Sequence, residues 1–323
     1  MDYLGVPNAP DPLRFFGTSS RKTYFDFLAN VEKTDRLIFA YQKNPKLQKA
    51  IYSLSSALPL VRPFEFQILK YLIIHGEVSQ SELNNYITAL IDGISEKTTE
   101  HALQFMERQY LDKSEIERYI PLIERKGRQI KLDDKLLELL NNDISASLIK
   151  DVIDYGLTRY YEEFSTKNYG LPFLKMYHPY SMRDVAMATN YTNKHSSFRG
   201  QGVFRFENHF YLFVDLHKDE DISESIKYKD KILSRYEFQW ESQNSTSQSS
   251  RTGIDLIEHK KRGYDLHLFV RKQPKVDGKV LKYLYFGEVD VIDYKNNKPI
   301  MFKFRLHQPI PINIMHEMIN VVE

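Results

Sequence analysis

A chain of 323 residues, 42% hydrophobic and 27% charged, has the composition of a folded globular protein with room for two domains. It contains no cysteine, which excludes disulfides, thiolate catalysis and cysteine-ligated zinc or iron–sulfur centres and fits a reducing compartment. A net charge of +2 announces no polyanionic partner, because such footprints depend on local clustering. No apolar run reaches the roughly 18 residues of a membrane span, and the start lacks the basic-then-apolar layout of a leader. A cytoplasmic location with no membrane partner is expected.

Pro7, Pro10 and Pro12 open the chain without capping or periodicity, as at a cut point in a longer protein. Apolar positions from Tyr24 to Tyr41 then suggest helical segments. After Arg62 and Pro63, the stripe from Phe64 to His75 predicts a helix ended by Gly76. Ser79 and Glu82 open a second helix, Ser95 caps a third, and Leu122 to Leu132 reads as a hairpin around Gly127. Three helices and a hairpin make a winged helix-turn-helix. Its candidate DNA contacts are Lys97, His101, Arg108, Arg125, Lys126 and Arg128, offset by Glu96, Glu100 and Glu107, so packing or coupling competes with DNA contact as its role.

Leu136 to Phe164 reads as helix broken near Asn141–Ser145, and Ser181 caps a short helix. Strands follow at Phe204–Phe206, Phe210–Lys218, Tyr264–Arg271, Leu281–Tyr294 and Ile300–Leu306, with turns at Asp277-Gly278 and Asn296-Asn297. A closed or nearly closed barrel protects that many edges. The polar interval Trp240 to Ser250, rich in serine and glutamine, has no packing explanation in the sequence; it holds the only tryptophan, with Tyr236 and Phe238 just before it. The 22 tyrosines and 20 phenylalanines are core by default.

Phosphate-cradling and zinc motifs are absent: no G-x-x-x-x-G-K-[ST], no G-x-G-x-x-G and no H-E-x-x-H, and Gly200-Gln-Gly202 is too short to hold a phosphate. His259-Lys-Lys261 meets Asp265 one residue too early for a phospholipase-D-like nuclease. Asp255, Glu258 and Lys260 have the residue types of a magnesium nuclease, which alternating surface charge explains equally well.

The runs Tyr228-Lys-Asp230, Phe238-Gln-Trp240-Glu-Ser242-Gln243-Asn-Ser245-Thr, Gly253-Ile-Asp, Leu268-Phe-Val-Arg271 and Tyr283-Leu-Tyr-Phe-Gly287 are similar to the C-terminal region of SauUSI-type ATP-dependent type IV restriction endonucleases, phospholipase-D-like nuclease and superfamily II helicase proteins. The resemblance is strongest over 175–290. It implies an α+β chain: a helical lead-in at 1–62, a winged-helix-like coupler at 63–145, and a mostly β, SRA-like (PUA-like) barrel at 146–323. It also implies context-dependent recognition of 5-methylcytosine or 5-hydroxymethylcytosine in duplex DNA by base flipping, with the helicase and nuclease domains of the parent chain as partners. No catalysis and no cofactor are expected of this chain; ATP and magnesium belong to the parent enzyme. Phe238 or Trp240 is expected as the aromatic wall of the base pocket, and Ser242 and Gln243 as readers of the base edge, against the alternative that Trp240 is core and Gln243 ties down its own loop. Arg199, Gln201, Lys218, Arg251 and Arg271 are the candidate groove and phosphate contacts. A docking module for the helicase that reads no base, and a magnesium nuclease, are the other readings.

Overall fold

Helices fill the first half of the chain and strands most of the second, an α+β protein that divides into two units, 1–165 with 192–196 and 166–191 with 197–323. The computed structural model describes Phe25 and residues 36–57, 62–90, 96–164, 174–198, 202–216, 230–276 and 279–319. Among these, no helix is long and apolar enough to cross a membrane.

In the first unit, α1 (Arg36–Lys43) and α2 (Pro45–Ala57) precede α3 (Phe64–His75). Gly76, at φ +75°, closes α3 by donating its N–H to the Leu72 carbonyl, the left-handed stop that the sequence foretells. Then follow β1 (Val78–Ser79), α4 (Gln80–Leu90), α5 (Glu96–Met106), α6 (Lys113–Ile116), β2 (Ile123–Lys126) and β3 (Gln129–Leu132). The three strands form one antiparallel sheet in the order β1-β3-β2. α7 (Asp134–Leu140) leads into α8 (Asp143–Arg159), where the Asn142 side chain accepts from Ser145 N–H, and a π-helical turn follows at Tyr160–Phe164. Gly156 of α8 lies against the Phe66 ring of α3; a Cβ there would stand 2.5 Å from the ring, so a larger residue would push the helices apart.

α8 packs on α1, α2, α3 and α7. The lead-in, the helix–hairpin group and residues to 165 fall in one unit, with the break after Ser165, inside the 145–170 interval where the sequence places a boundary. A helix whose apolar residues lie on one face belongs with the surface that covers them; those residues are Leu148, Ile149, Val152 and Ile153.

The second unit begins with β4 (Pro179–Tyr180) and α9 (Met182–Ala188), opened by a capping box between Ser181 and Asp184. It continues with β5 (Val203–Phe206), β6 (His209–Asp215), β7 (Lys231–Ser234), β8 (Glu237–Glu241), α10 (Arg251–Ile257), β9 (Asp265–Arg271), β10 (Lys275–Val276), β11 (Lys279–Val280), β12 (Tyr283–Lys295), β13 (Met301–Leu306) and α11 (Ile312–Ile319). The main sheet runs β5-β6-β9-β12-β13-β8-β7, with β4 paired to the start of β12. Only β6 and β9 are parallel within it. Among the described residues this sheet is an open path from β5 to β7, where a closed or nearly closed barrel was expected. Bending replaces closure: β12 pairs first with β9 and then with β13, and register shifts near Tyr285/Gly287 and Val291/Asp293 turn it between the two.

Strand alternation sorts the side chains into two layers. Phe210, Leu212, Leu266, Leu268, Phe302 and Phe304 form one buried core with Leu256 of α10 and Met318 of α11. Tyr211, Phe213, His267 and Phe269 lie in the opposite layer. There His267 accepts or donates at both nitrogens, with His209 Nδ1 3.0 Å from Nε2 and Tyr285 Oη 3.1 Å from Nδ1. Burial pushes its pKa down to about 3, so it is a neutral structural histidine at physiological pH.

Candidate nucleic-acid interface

The serine- and glutamine-rich interval is a built loop. Ser242 exchanges two hydrogen bonds with Ile300: its N–H donates to the Ile300 carbonyl and its Oγ accepts the Ile300 N–H, each at 2.9 Å. Thr246 N–H closes a turn onto the Gln243 carbonyl at 2.8 Å. Ser250 caps α10 by accepting from Gly253 N–H while its hydroxyl donates to the Ser247 carbonyl at 2.7 Å. Gln248 N–H donates to Asn297 Oδ1 at 2.8 Å, and Gln248 Nε2 to the Asn296 carbonyl at 2.7 Å. These bonds lay the 242–250 loop beside the β12–β13 turn, and they explain the polar density that sequence alone left unexplained.

Gly253 makes this packing possible. A Cβ there would sit 2.0 Å from the Ser247 carbonyl oxygen and 3.1 Å from the Ile300 side chain. Gly253→Ala is therefore expected to destabilise the second unit by about 1–3 kcal/mol through overpacking. Urea denaturation followed by the single tryptophan reports it, and a change below 0.5 kcal/mol (~, within surface-substitution scatter) would show that the loop relaxes freely.

The sequence-predicted residues divide sharply. Phe238 and Trp240 are core: Trp240 is 4% exposed and stacks on Phe302 and Phe304, with ring centroids 5.5 and 5.9 Å away. Neither ring is placed to wall a pocket for an incoming base. Ser242 is buried and committed to Ile300. Arg271 donates through Nε and one terminal nitrogen to Asp215, at 2.5 and 3.1 Å, and through the other to the Leu281 carbonyl, and lies over the Tyr283 ring. These bonds hold strands and loop together. Gln243 is half-buried on the loop and Arg251 is exposed at the start of α10. Arg199, Gln201, Lys218 and the turn at Asp277-Gly278 lie outside the described residues, as does Ser95.

Gln243 and Arg251 therefore share one surface with residues that the sequence reading passed over: Lys295, Asn296, Asn297 and Lys298 of the adjoining turn, all exposed. Residues 242–254 and 294–304 hold no carboxylate, with Glu241, Asp255 and Asp293 at their edges; Asp293 stands in register with Lys303 and Glu241 with Met301. The cations of the two segments are Arg251, Lys295, Lys298 and Lys303, the last paired to Glu237 at 2.8 Å. Tyr294 stands beside them, 42% exposed. It pairs in register with Phe302, which pairs with Trp240, and is thus the solvent-facing end of an aromatic row. Register between strands, which a single sequence does not reveal, is what distinguishes it from the buried rings.

In the first unit half of the six expected DNA contacts are consumed internally. Arg125 binds Glu100 and Glu107, Arg108 donates to the Ile116 and Tyr119 carbonyls, and His101 accepts from Arg62. Lys97, Lys126 and Arg128 remain exposed. Of the three residues of the nuclease reading, Asp255 and Glu258 share Arg262, Asp255 also binds Arg205, and Lys260 pairs with Asp290.

Residues 174–318 match the family described as a domain of unknown function, DUF3427, and residues 5–163 match a second, DUF8090. The two matches abut near the break between the structural units. No curated protein matches the chain.

Proposed function

We propose that this chain is the target-recognition part of a larger ATP-dependent type IV restriction enzyme. In this reading the second unit binds duplex DNA carrying 5-methylcytosine or 5-hydroxymethylcytosine, and the first couples it to helicase and nuclease domains. The observation that carries the proposal is the loop pair tied by Gln248 to Asn296 and Asn297, which brings the segment of Gln243 and Arg251 beside the turn that carries Tyr294, Lys295 and Lys298. Arg251, Lys295 and Lys298 neutralise phosphates; Gln243, whose amide both donates and accepts, reads a base edge. Tyr294 takes the stacking role first assigned to Phe238 and Trp240, and stacking of about 1–3 kcal/mol per base offsets much of the few kcal/mol that base flipping costs. The bend of β12 supports an SRA-like sheet, and the order helix, strand, helix, helix, short helix, strand, strand over 64–132 supports a winged-helix-like coupler.

The test is fluorescence anisotropy with paired duplexes that differ only in cytosine 5-methylation, across many sequence contexts at fixed salt. Gln243→Ala is expected to lower the methyl preference about tenfold, within the 1–3 kcal/mol of a bidentate base contact. Lys298→Ala should weaken all duplexes alike and reduce the salt slope by about 0.9. Equal or absent binding in every context overturns the reading and favours a docking module that reads no base.

A further inference from the structure

At the other end of α10 a cleft of about 320 Å³ opens, lined by His259, Lys260, Tyr264, Asp265, Glu288, Asp290 and His307 among others. Its floor holds an unanswered acceptor. His259 is 4% exposed, and its Nδ1 lies 3.1 Å from the Leu256 carbonyl. A carbonyl can only accept, so Nδ1 carries the proton and Nε2 is left with a lone pair. That Nε2 makes no hydrogen bond and faces Asp290 Oδ1 at 3.5 Å. Burial lowers the imidazole pKa, so at neutral pH two acceptors confront each other with no proton between them, an arrangement that asks for an outside donor.

The rest of the lining says what kind. Asp290 Oδ2 accepts from Lys260 Nζ at 2.7 Å and lies 3.1 Å from His307 Nε2, while Glu288 Oε2 is 3.3 Å from His307 Nδ1. Asp265, Glu288 and Asp290 outnumber the Lys260 ammonium and the His307 ring they face, a balance that repels phosphate and attracts a cation. No group of three or more His, Asp or Glu among the described residues is arranged to hold a metal ion. The acceptors are spread across the cleft, and a planar cation with five N–H donors and no acceptor suits them better than a point charge. Lys260 is 69% exposed, a flexible arm that an incoming cation displaces easily.

We propose that this cleft is a docking site for an arginine side chain presented by a polypeptide partner, with His259 Nε2, Asp290 and Glu288 accepting from its guanidinium. The proposal is independent of DNA recognition by the loop pair.

The experiment is a titration of the full chain, ¹⁵N-labelled at histidine, with N-acetylarginine methylamide, followed at the His259 ring nitrogens by NMR. In the free protein His259 should be the Nδ1–H tautomer, and its Nε2 signal should shift saturably as it accepts a hydrogen bond. Asp290→Asn should abolish the shift. Lys260→Met, which removes the competing ammonium, should tighten binding about fivefold, the value of one exposed ion pair; a purely structural role for Lys260 predicts no such gain. An Nε2–H tautomer in the free protein, no shift with the arginine probe, unchanged affinity in Lys260→Met, or a saturable shift with cytidine in its place would each overturn the proposal.

Discussion

Glu65→Ala is expected to cost the first unit about 3–5 kcal/mol, because it strands a guanidinium that has no access to water. Arg62 and Glu65 are both 0% exposed. Arg62 Nε donates to Glu65 Oε1 at 3.0 Å, one terminal nitrogen donates to the same carboxylate, and that nitrogen also donates to His101 Nδ1 at 3.0 Å. Arginine does not shed its proton in a protein, so without Glu65 the charge stays buried and loses the carboxylate that faces it. Glu65→Gln keeps the acceptor oxygen and should fall between the alanine variant and the parent. The double variant Arg62→Met with Glu65→Leu, which removes both charges, should recover most of the loss, since a buried ion pair is often matched by apolar residues of similar volume. Urea denaturation of the three variants with unchanged m-values checks the ordering. A cost below 1 kcal/mol (~, the range of exposed pairs) for Glu65→Ala would mean that the pair is hydrated in solution.

This pair marks where the sequence stopped being legible. A domain boundary was expected between Arg62 and Pro63. The burial of Arg62 depends on His101, 39 positions away, and no local pattern encodes that distance. What was legible is what local chemistry decides: the glycine stop of α3, the serine-capped α9, the Gly127 hairpin and the strands β6, β9, β12 and β13. Besides the one-turn α6, two helices were missed. α10 carries Gly253, which lowers helix propensity, although Ser250 in the N-cap position was a usable signal. α11 follows Pro309 and Pro311, where a loop reading is natural.

The candidate interface was half legible for a related reason. Gln243 and Arg251 stood out because their polarity had no packing role in the sequence. Lys295 and Lys298 did not, because exposed lysines in a turn are ordinary until Gln248 is seen to bind Asn296 and Asn297. The cleft could not be read at all: His259, Glu288 and His307 come from three separate segments that meet only through strand pairing, with Val289 opposite Leu306 and Leu266.

Trp240→Ala is expected to destabilise the second unit by about 3–5 kcal/mol, the cost of deleting a large buried aromatic ring. The ring lies within a stack with Phe302 and Phe304, so its removal leaves a cavity that three strands cannot close. Trp240→Phe should cost much less because most of the aromatic surface remains. The functional arm separates core from pocket: Trp240→Phe should bind methylated duplexes as the parent does, whereas Tyr294→Ala, at an exposed position, should leave stability unchanged and weaken DNA binding by about tenfold. Because this tryptophan is the only one in the chain, its emission adds a direct readout: a core indole keeps its blue-shifted spectrum when DNA is added. Quenching by a methylated duplex, together with loss of methyl preference in a folded Trp240→Phe protein, would return the ring to the base pocket and remove Tyr294 from it.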